Sequence, residues 1–150
     1  MQTRYKVREV VNWLTLSTVL GMIIAGLGRA SVHRVNDGLY IAENCRLMLP
    51  DAGAFTVGNV IITRRSWTEL RDRLPEVLDH EAAHASQWAL LGPLFLPVYL
   101  IMMAWSMART GDRAARNYFE RWAGLRSGGY VDVPIRRVLP GRVGRHPATN

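Results

Sequence analysis

His80 and His84 stand four residues apart, and Glu81 directly follows the first, in Asp79-His80-Glu81-Ala82-Ala83-His84. In a helix this spacing puts both imidazoles on one face, about one turn apart. Two rings so placed can share one zinc ion (Zn2+), and Glu81 can hold and deprotonate a water beside it. A zinc centre that performs chemistry usually has three protein ligands and one open position. The third must come from elsewhere in the chain. Cys45 is the only cysteine, and His33 and His146 are the remaining histidines. The strongest candidate is Glu120, in Asn117-Tyr118-Phe119-Glu120-Arg121-Trp122-Ala123. There a single carboxylate sits among aromatic residues, and a buried carboxylate needs a cation or a donor. The alternative is an exposed Glu120 paired with Arg116 or Arg121.

These residues must be carried by defined elements. Pro75 fits the first position of a helix, where its missing N–H costs nothing. Val77, Leu78 and Ala82 begin an apolar stripe that Ala85, Trp88 and Leu91 extend. The bland alternative is a solvated or core helix that happens to carry two histidines. Ser66-Trp67-Thr68-Glu69 fits a capping box and predicts a short helix before it. Phe55 to Thr63 is rich in β-branched and aromatic residues and predicts a strand. Gly58-Asn59 within it marks a bulge or a close backbone approach. Such a strand could pair with an extended substrate or simply cover the zinc helix. Leu39–Ala42 and Cys45–Leu49 are shorter strand candidates, Pro50–Gly53 a turn and Ser31–Asp37 a connector. The last helical stretch is expected over Arg113–Gly124.

Three segments together resemble a known family. They are His80-Glu81-Ala82-Ala83-His84-Ala85-Ser86-Gln87, Leu91-Gly92-Pro93-Leu94 and Glu120-Arg121-Trp122-Ala123. An H-E-x-x-H followed some tens of residues later by a helical Glu resembles the gluzincin class of zinc metallopeptidases, in a very small version. More narrowly, the chain is similar to small bacterial membrane-associated proteins with H-E-x-x-H-x-x-Q, L-G-P-L and E-x-W-A segments. The similarity runs from about Leu39 to Gly129, and Phe55–Ile61 matches the strand before the zinc helix. The resemblance implies zinc held by His80, His84 and Glu120, with Glu81 as general base, in a bacterial cell membrane. The pattern departs at Gly124, where larger gluzincins commonly place an Asp that steadies a ligand histidine. They also bring a His or Tyr to the oxyanion; Tyr99, Tyr118, Tyr130 and His146 are the candidates here.

Composition sets the frame. A chain of 150 residues, 49% hydrophobic, can bury one core. The formal charge is +7, and all but one of its 19 basic residues are arginine. They are scattered, with no nucleic-acid module, so no nucleic-acid partner is expected. A single cysteine excludes an intrachain disulfide, and Cys45 reads as a bystander. Two long stretches lack charge: Val10–Gly28 and Ser86–Ala108. The first is close to bilayer thickness as a helix, has basic residues at both ends and predicts one membrane or anchor helix. Its alternative is a core helix under the zinc helix. Ser17, Gly21 and Ala25 form a small-residue stripe along it that permits close helix contact. The second stretch holds Gly92, Pro93 and Pro97. If it crossed the bilayer once, Glu120 would be separated from His84, so it is expected to bend near Gly92-Pro93.

The expected architecture is α+β, a minimal zincin-like domain. Its parts are a zinc helix, a short antiparallel sheet and a second ligand helix, preceded by an apolar helix. Residues 1–30 form the basic N-terminus and anchor, 31–126 the domain, and 127–150 a mobile Arg/Gly/Pro-rich tail. The expected function is a membrane-associated zinc hydrolase acting on a peptide or protein. A non-catalytic zincin-like module that binds a partner, and an intramembrane metalloprotease, are the alternatives. Against the last stand the charges around the motif, from Arg71 to Asp79, which are costly in hydrocarbon.

Overall fold

A computed structural model describes residues 3–47 and 53–136. The fold is α+β. Helices α1 (Thr3–Leu14) and α2 (Ser17–Leu27) come first, then strands β1 (Ser31–Arg34), β2 (Tyr40–Glu43), β3 (Phe55–Val57) and β4 (Val60–Ile62). Helices α3 (Trp67–Arg73), α4 (Val77–Leu91), α5 (Phe95–Thr110) and α6 (Tyr118–Ala123) follow.

The sheet order is β1-β2-β4-β3. It is mixed rather than antiparallel as expected: β1/β2 and β3/β4 are antiparallel, but β2 and β4 run parallel. The reason lies in the 55–63 stretch. It is two strands, because Gly58 adopts a positive φ of 62° and turns the chain with Asn59. The connector expected at 31–37 contains β1 instead, and Cys45 to Leu47 is not strand. The remainder of that strand candidate, residues 48 and 49, and the turn at 50–52 lie outside the described residues.

Helices cover both faces of this sheet. Ile41 and Ile61 point to one side, where they pack with Trp67, Leu70, Val77 and Ala85 from α3 and α4. Ala42, Val60 and Ile62 point to the other, against Ala25 of α2 and Cys45. Alternation along strands buried on both faces leaves an unbroken apolar run, as in Val60-Ile61-Ile62. The small-residue stripe of α2 packs on the β3–β4 hairpin, not on another helix. A Cβ at Gly21 would stand 2.5 Å from the Val57 carbonyl oxygen, and one at Gly58 would meet the Ser17–Thr18 backbone.

The single helix expected over 10–28 is two. Leu16 has a left-handed φ of 61°, and α1 and α2 meet at a bend of 72°. A buried polar network fixes α1 inside the domain. Asn12 donates to Asn59 Oδ1 and to the Ala85 carbonyl of α4, both at 2.9 Å, and Asn59 donates to Thr18.

The other long uncharged stretch breaks where Gly92 and Pro93 predict. Gly92 has φ 55°, ψ −140°, and α5 bends back toward α4. The rings of His84 and Tyr99 lie 6.2 Å apart; fifteen residues of straight helix would separate them by about 22 Å. By length and composition the helical run Val77–Thr110 is apolar enough to cross a membrane, and most of its most apolar window lies on the surface.

Smaller boundaries also differ. Helix α4 begins at Val77, two residues after Pro75. Ser66 caps α3 through Glu69 N, but the Glu69 carboxylate pairs with Arg65 and Arg73 rather than closing the box. The final helix is only Tyr118–Ala123, because Asp112 Oδ1 holds the amides of Ala114 and Ala115 in a turn before it. The stretch after Ser127, expected to be loose, is fastened as far as Arg136, whose amide and Nε donate to the Arg109 and Thr110 carbonyls. Residues 137–150, with His146, lie outside the described residues.

Candidate metal centre

Helix α4 carries His80 and His84 on its inner face, one turn apart, and both are buried. Helix α6 brings Glu120 to them, also buried. Asn117 starts α6 by accepting from the Phe119 amide through Oδ1. Gln87 then joins the helices: its Nε2 donates to the Phe119 carbonyl at 3.0 Å.

The three expected ligands converge. The Nε2 atoms of His80 and His84 are 3.1 Å apart, and Glu120 Oε2 lies 3.3 Å and 3.6 Å from them. Four-coordinate zinc with ligands at about 2.0–2.1 Å sets neighbouring ligand atoms about 3.3 Å apart. The observed triangle fits that. Glu120 Oε2 also makes no well-directed hydrogen bond although it is buried. Two ring nitrogens and a carboxylate oxygen facing one another are an arrangement that a cation completes. The group could hold a metal ion.

Each ring is held from behind. His80 Nδ1 lies 3.0 Å from the Gly124 carbonyl oxygen, so Nδ1 carries the proton and Nε2 is left to bind. The departure at Gly124 therefore costs the site no acceptor: the backbone supplies it. His84 Nδ1 lies 2.8 Å from Gln87 Oε1. Because the Gln87 amide nitrogen is committed to Phe119, that oxygen must face His84, and the same tautomer follows. Gln87 closes the H-E-x-x-H-x-x-Q segment, but its position behind His84 becomes evident only once α6 is in place.

Glu81 is buried beside the triad, and its Oε2 accepts from Thr56 Oγ1 at 2.7 Å. Thr56 lies on β3, which is anchored in turn by Trp88 Nε1 donating to its carbonyl. The tyrosine candidates now separate. Tyr118 is 61% exposed, with its ring against those of Phe119 and Trp122.

 Tyr99 is spent on the ligand itself: its hydroxyl donates to Glu120 Oε1 at 2.5 Å. Tyr130 remains, with its ring 6.1 Å from that of His80.

The charges of the site follow from burial and contact. Burial alone would lift Glu120, but its contacts with His80 and His84, the charge His84 carries when protonated and the Tyr99 hydroxyl outweigh it and hold the carboxyl well below the usual range. Burial would lower His84; the Glu120 contact and the charges of Glu81 and Glu120 prevail, and its pKa is raised. Tyr130 is pushed up by burial first and by Glu120 and Glu81 next, so it stays protonated.

One further contact shapes access. Gly128 lies against the His80 ring so closely that a Cβ there would stand 2.6 Å from Nε2. The segment around Gly128 thus passes over the His80 ring. Asp132 fastens it through Arg116 and Arg121, at 3.1 Å and 3.2 Å.

No protein-family model, curated protein or solved structure matches this chain.

Proposed function

We propose that the protein is a membrane-associated, zinc-dependent hydrolase of the zincin type that cleaves peptide bonds. The observation that carries this reading is the buried His80–His84–Glu120 triangle, with both Nδ1 atoms committed to acceptors and Glu81 alongside. A bound zinc ion supplies Lewis acidity, polarising a carbonyl and making a nearby water more acidic. Glu81 accepts the proton that the attacking water releases and returns it to the departing amine nitrogen. Thr56 holds Glu81 Oε2, which leaves Oε1 to receive that proton. Tyr130 keeps its hydroxyl proton and donates it as a hydrogen bond to the carbonyl oxygen as negative charge builds there. The outward apolar window of Val77–Thr110 supports the membrane association.

A second reading rests on Gly128. Its seat over the His80 ring and the burial of His80, His84 and Glu120 suit a metal held for structure in a partner-binding module. One set of variants separates the two. Purified protein grown with zinc should hold one equivalent by elemental analysis, and His84→Ala should lose it. Glu81→Gln should keep the metal and abolish hydrolysis of unfolded, fluorescently labelled casein. Wild-type protein that binds zinc and leaves casein intact would favour the structural reading; wild-type protein that binds no divalent metal would overturn both.

A further inference from the structure

The two bends of the chain touch. A Cβ placed on Gly92 would stand 3.6 Å from Thr15 Cγ2, in ordinary contact, so the α1–α2 elbow sits beside the α4–α5 elbow. The leucines that flank the contact are among the most exposed apolar residues: Leu14 77%, Leu16 64%, Leu90 69% and Leu94 66%. Side chains that open to solvent protrude; they do not line a recess. The apolar surface continues along α5 through Leu100, Ile101 and Trp105.

Charge is arranged the other way. Arg4 and Lys6 lie at the start of α1, Arg29 beyond the end of α2, and Arg109 at the end of α5. Each stands at the end of its helix remote from the paired elbows. Arg109 lies 5.2 Å over the Trp105 ring, a cation–π contact at that remote end. An apolar tip that carries no charged residue, on a chain of formal charge +7, matches an anionic lipid surface and opposes contact with a second copy.

Lengths decide between crossing and dipping. From the elbow, α2 extends eleven residues, about 16 Å, and α5 sixteen, about 24 Å. Each is shorter than the roughly 30 Å hydrocarbon core.

We propose that the paired Thr15–Leu16 and Gly92–Leu94 elbows form a tip that enters one leaflet of an anionic membrane without crossing it. His84 is seven residues before Leu91, about 10 Å along α4 from the tip. The metal centre then works near headgroup level, on a polypeptide bond presented at the lipid interface. The insertion mode rests on the membrane association proposed above and not on the hydrolase reading.

The test uses the full chain with Cys45→Ala, carrying Leu16→Cys or Leu94→Cys labelled with nitrobenzoxadiazole, and Asp72→Cys as a control on α3. Vesicles are phosphatidylcholine with or without phosphatidylglycerol, containing lipids spin-labelled at shallow or deep acyl positions. The expected result is flotation about tenfold stronger with phosphatidylglycerol, with quenching of the labels at 16 and 94 and none at 72. Leu16→Glu with Leu94→Glu, both at exposed sites, should abolish flotation and leave the circular dichroism spectrum unchanged. Flotation with unquenched elbow labels would overturn the insertion mode while sparing membrane association. Protection of different flanking sites by the two sides of the bilayer would show a span and overturn it too. Absence of flotation with every vesicle would overturn the association itself, and elbow-dependent dimerisation without lipid would assign the tip to a second copy.

Discussion

Gln87 Oε1 lies 2.8 Å from Nδ1 of His84, while Nε2 of the same amide donates to the backbone of α6 one residue before Glu120. One side chain therefore orients one ligand and positions the element that delivers another. Gln87→Leu should lower zinc affinity about 10–100-fold, the range for loss of a group supporting a metal ligand. Competition with a chromogenic chelator measures it. Unchanged affinity would show that neither the His84 orientation nor the α4–α6 junction depends on this amide.

Tyr99 and Tyr130 should fail differently. Tyr99→Phe removes a donor to Glu120, so zinc affinity should fall about tenfold or more. Tyr130→Phe should leave zinc affinity within about threefold and lower kcat roughly 10²-fold, if its hydroxyl stabilises developing charge. Zinc titration and steady-state kinetics on both variants distinguish these roles. The opposite pattern would exchange them.

Zinc should reverse the pH dependence of stability. In the metal-free protein His84 has a raised pKa, so its contribution is full below the unfolded value near 6.5 and is lost as pH rises through the folded value. Glu120 has a lowered pKa, so its contribution is full above about 4.5 and is lost as pH falls through the folded value. Between these limits the metal-free site is most favourable. Zinc requires neutral His84 and displaces its proton, so the stabilisation it adds should grow with pH through that raised value. Thermal melts of chelated and zinc-loaded protein between about pH 5 and about pH 9 should show a gap in Tm that widens with pH. A gap independent of pH would mean that His84 binds no metal.

Gly128→Val should disturb the centre from outside it. Its Cβ would collide with the His80 ring, and a shift of that ring would strain the His80–Gly124 contact. We expect a loss of about 1–3 kcal/mol in stability and weaker zinc binding. Urea melts and zinc titration check both, and an unaffected zinc affinity would show that the crossing segment yields freely.

Gly21→Ala tests the packing of α2. Its Cβ would lie 2.5 Å from the Val57 carbonyl oxygen, against backbone that cannot swing aside. A destabilisation of about 1–3 kcal/mol in a urea melt is expected. A stabilised variant, as for a helical glycine in open space, would show that α2 does not rest on the hairpin.

The centre was more legible in the sequence than the scaffold. His80, His84 and Glu81 are set by a spacing that one helix enforces, and Glu120 by a lone carboxylate among aromatic residues. The scaffold turns on residues with no special type. Leu16 adopts a left-handed conformation that nothing in Thr15-Leu16-Ser17 announces, and it divides what composition presents as one helix. Gly58-Asn59 reads as a bulge or a close backbone approach; the approach is to the Ser17–Thr18 backbone of α2, but in place of a bulge the chain turns there between two strands. The parallel pairing of β2 with β4 joins segments separated in sequence, where local pattern carries no information. The acceptor for His80 was hidden for another reason: it is a backbone carbonyl, which every residue possesses.

The Asn12–Ala85 hydrogen bond also constrains the birth of the protein. It joins positions 73 apart, so the amide of α1 must wait during synthesis until α4 has left the ribosome. Asn12 can reach its native acceptor only if its own helix is still attached. A protease that removed the first helix early would leave the Ala85 carbonyl inside the domain without its donor. Loss of that helix would therefore cost the domain about 1–3 kcal/mol for this acceptor alone, which makes the amino-terminal segment part of the folding unit.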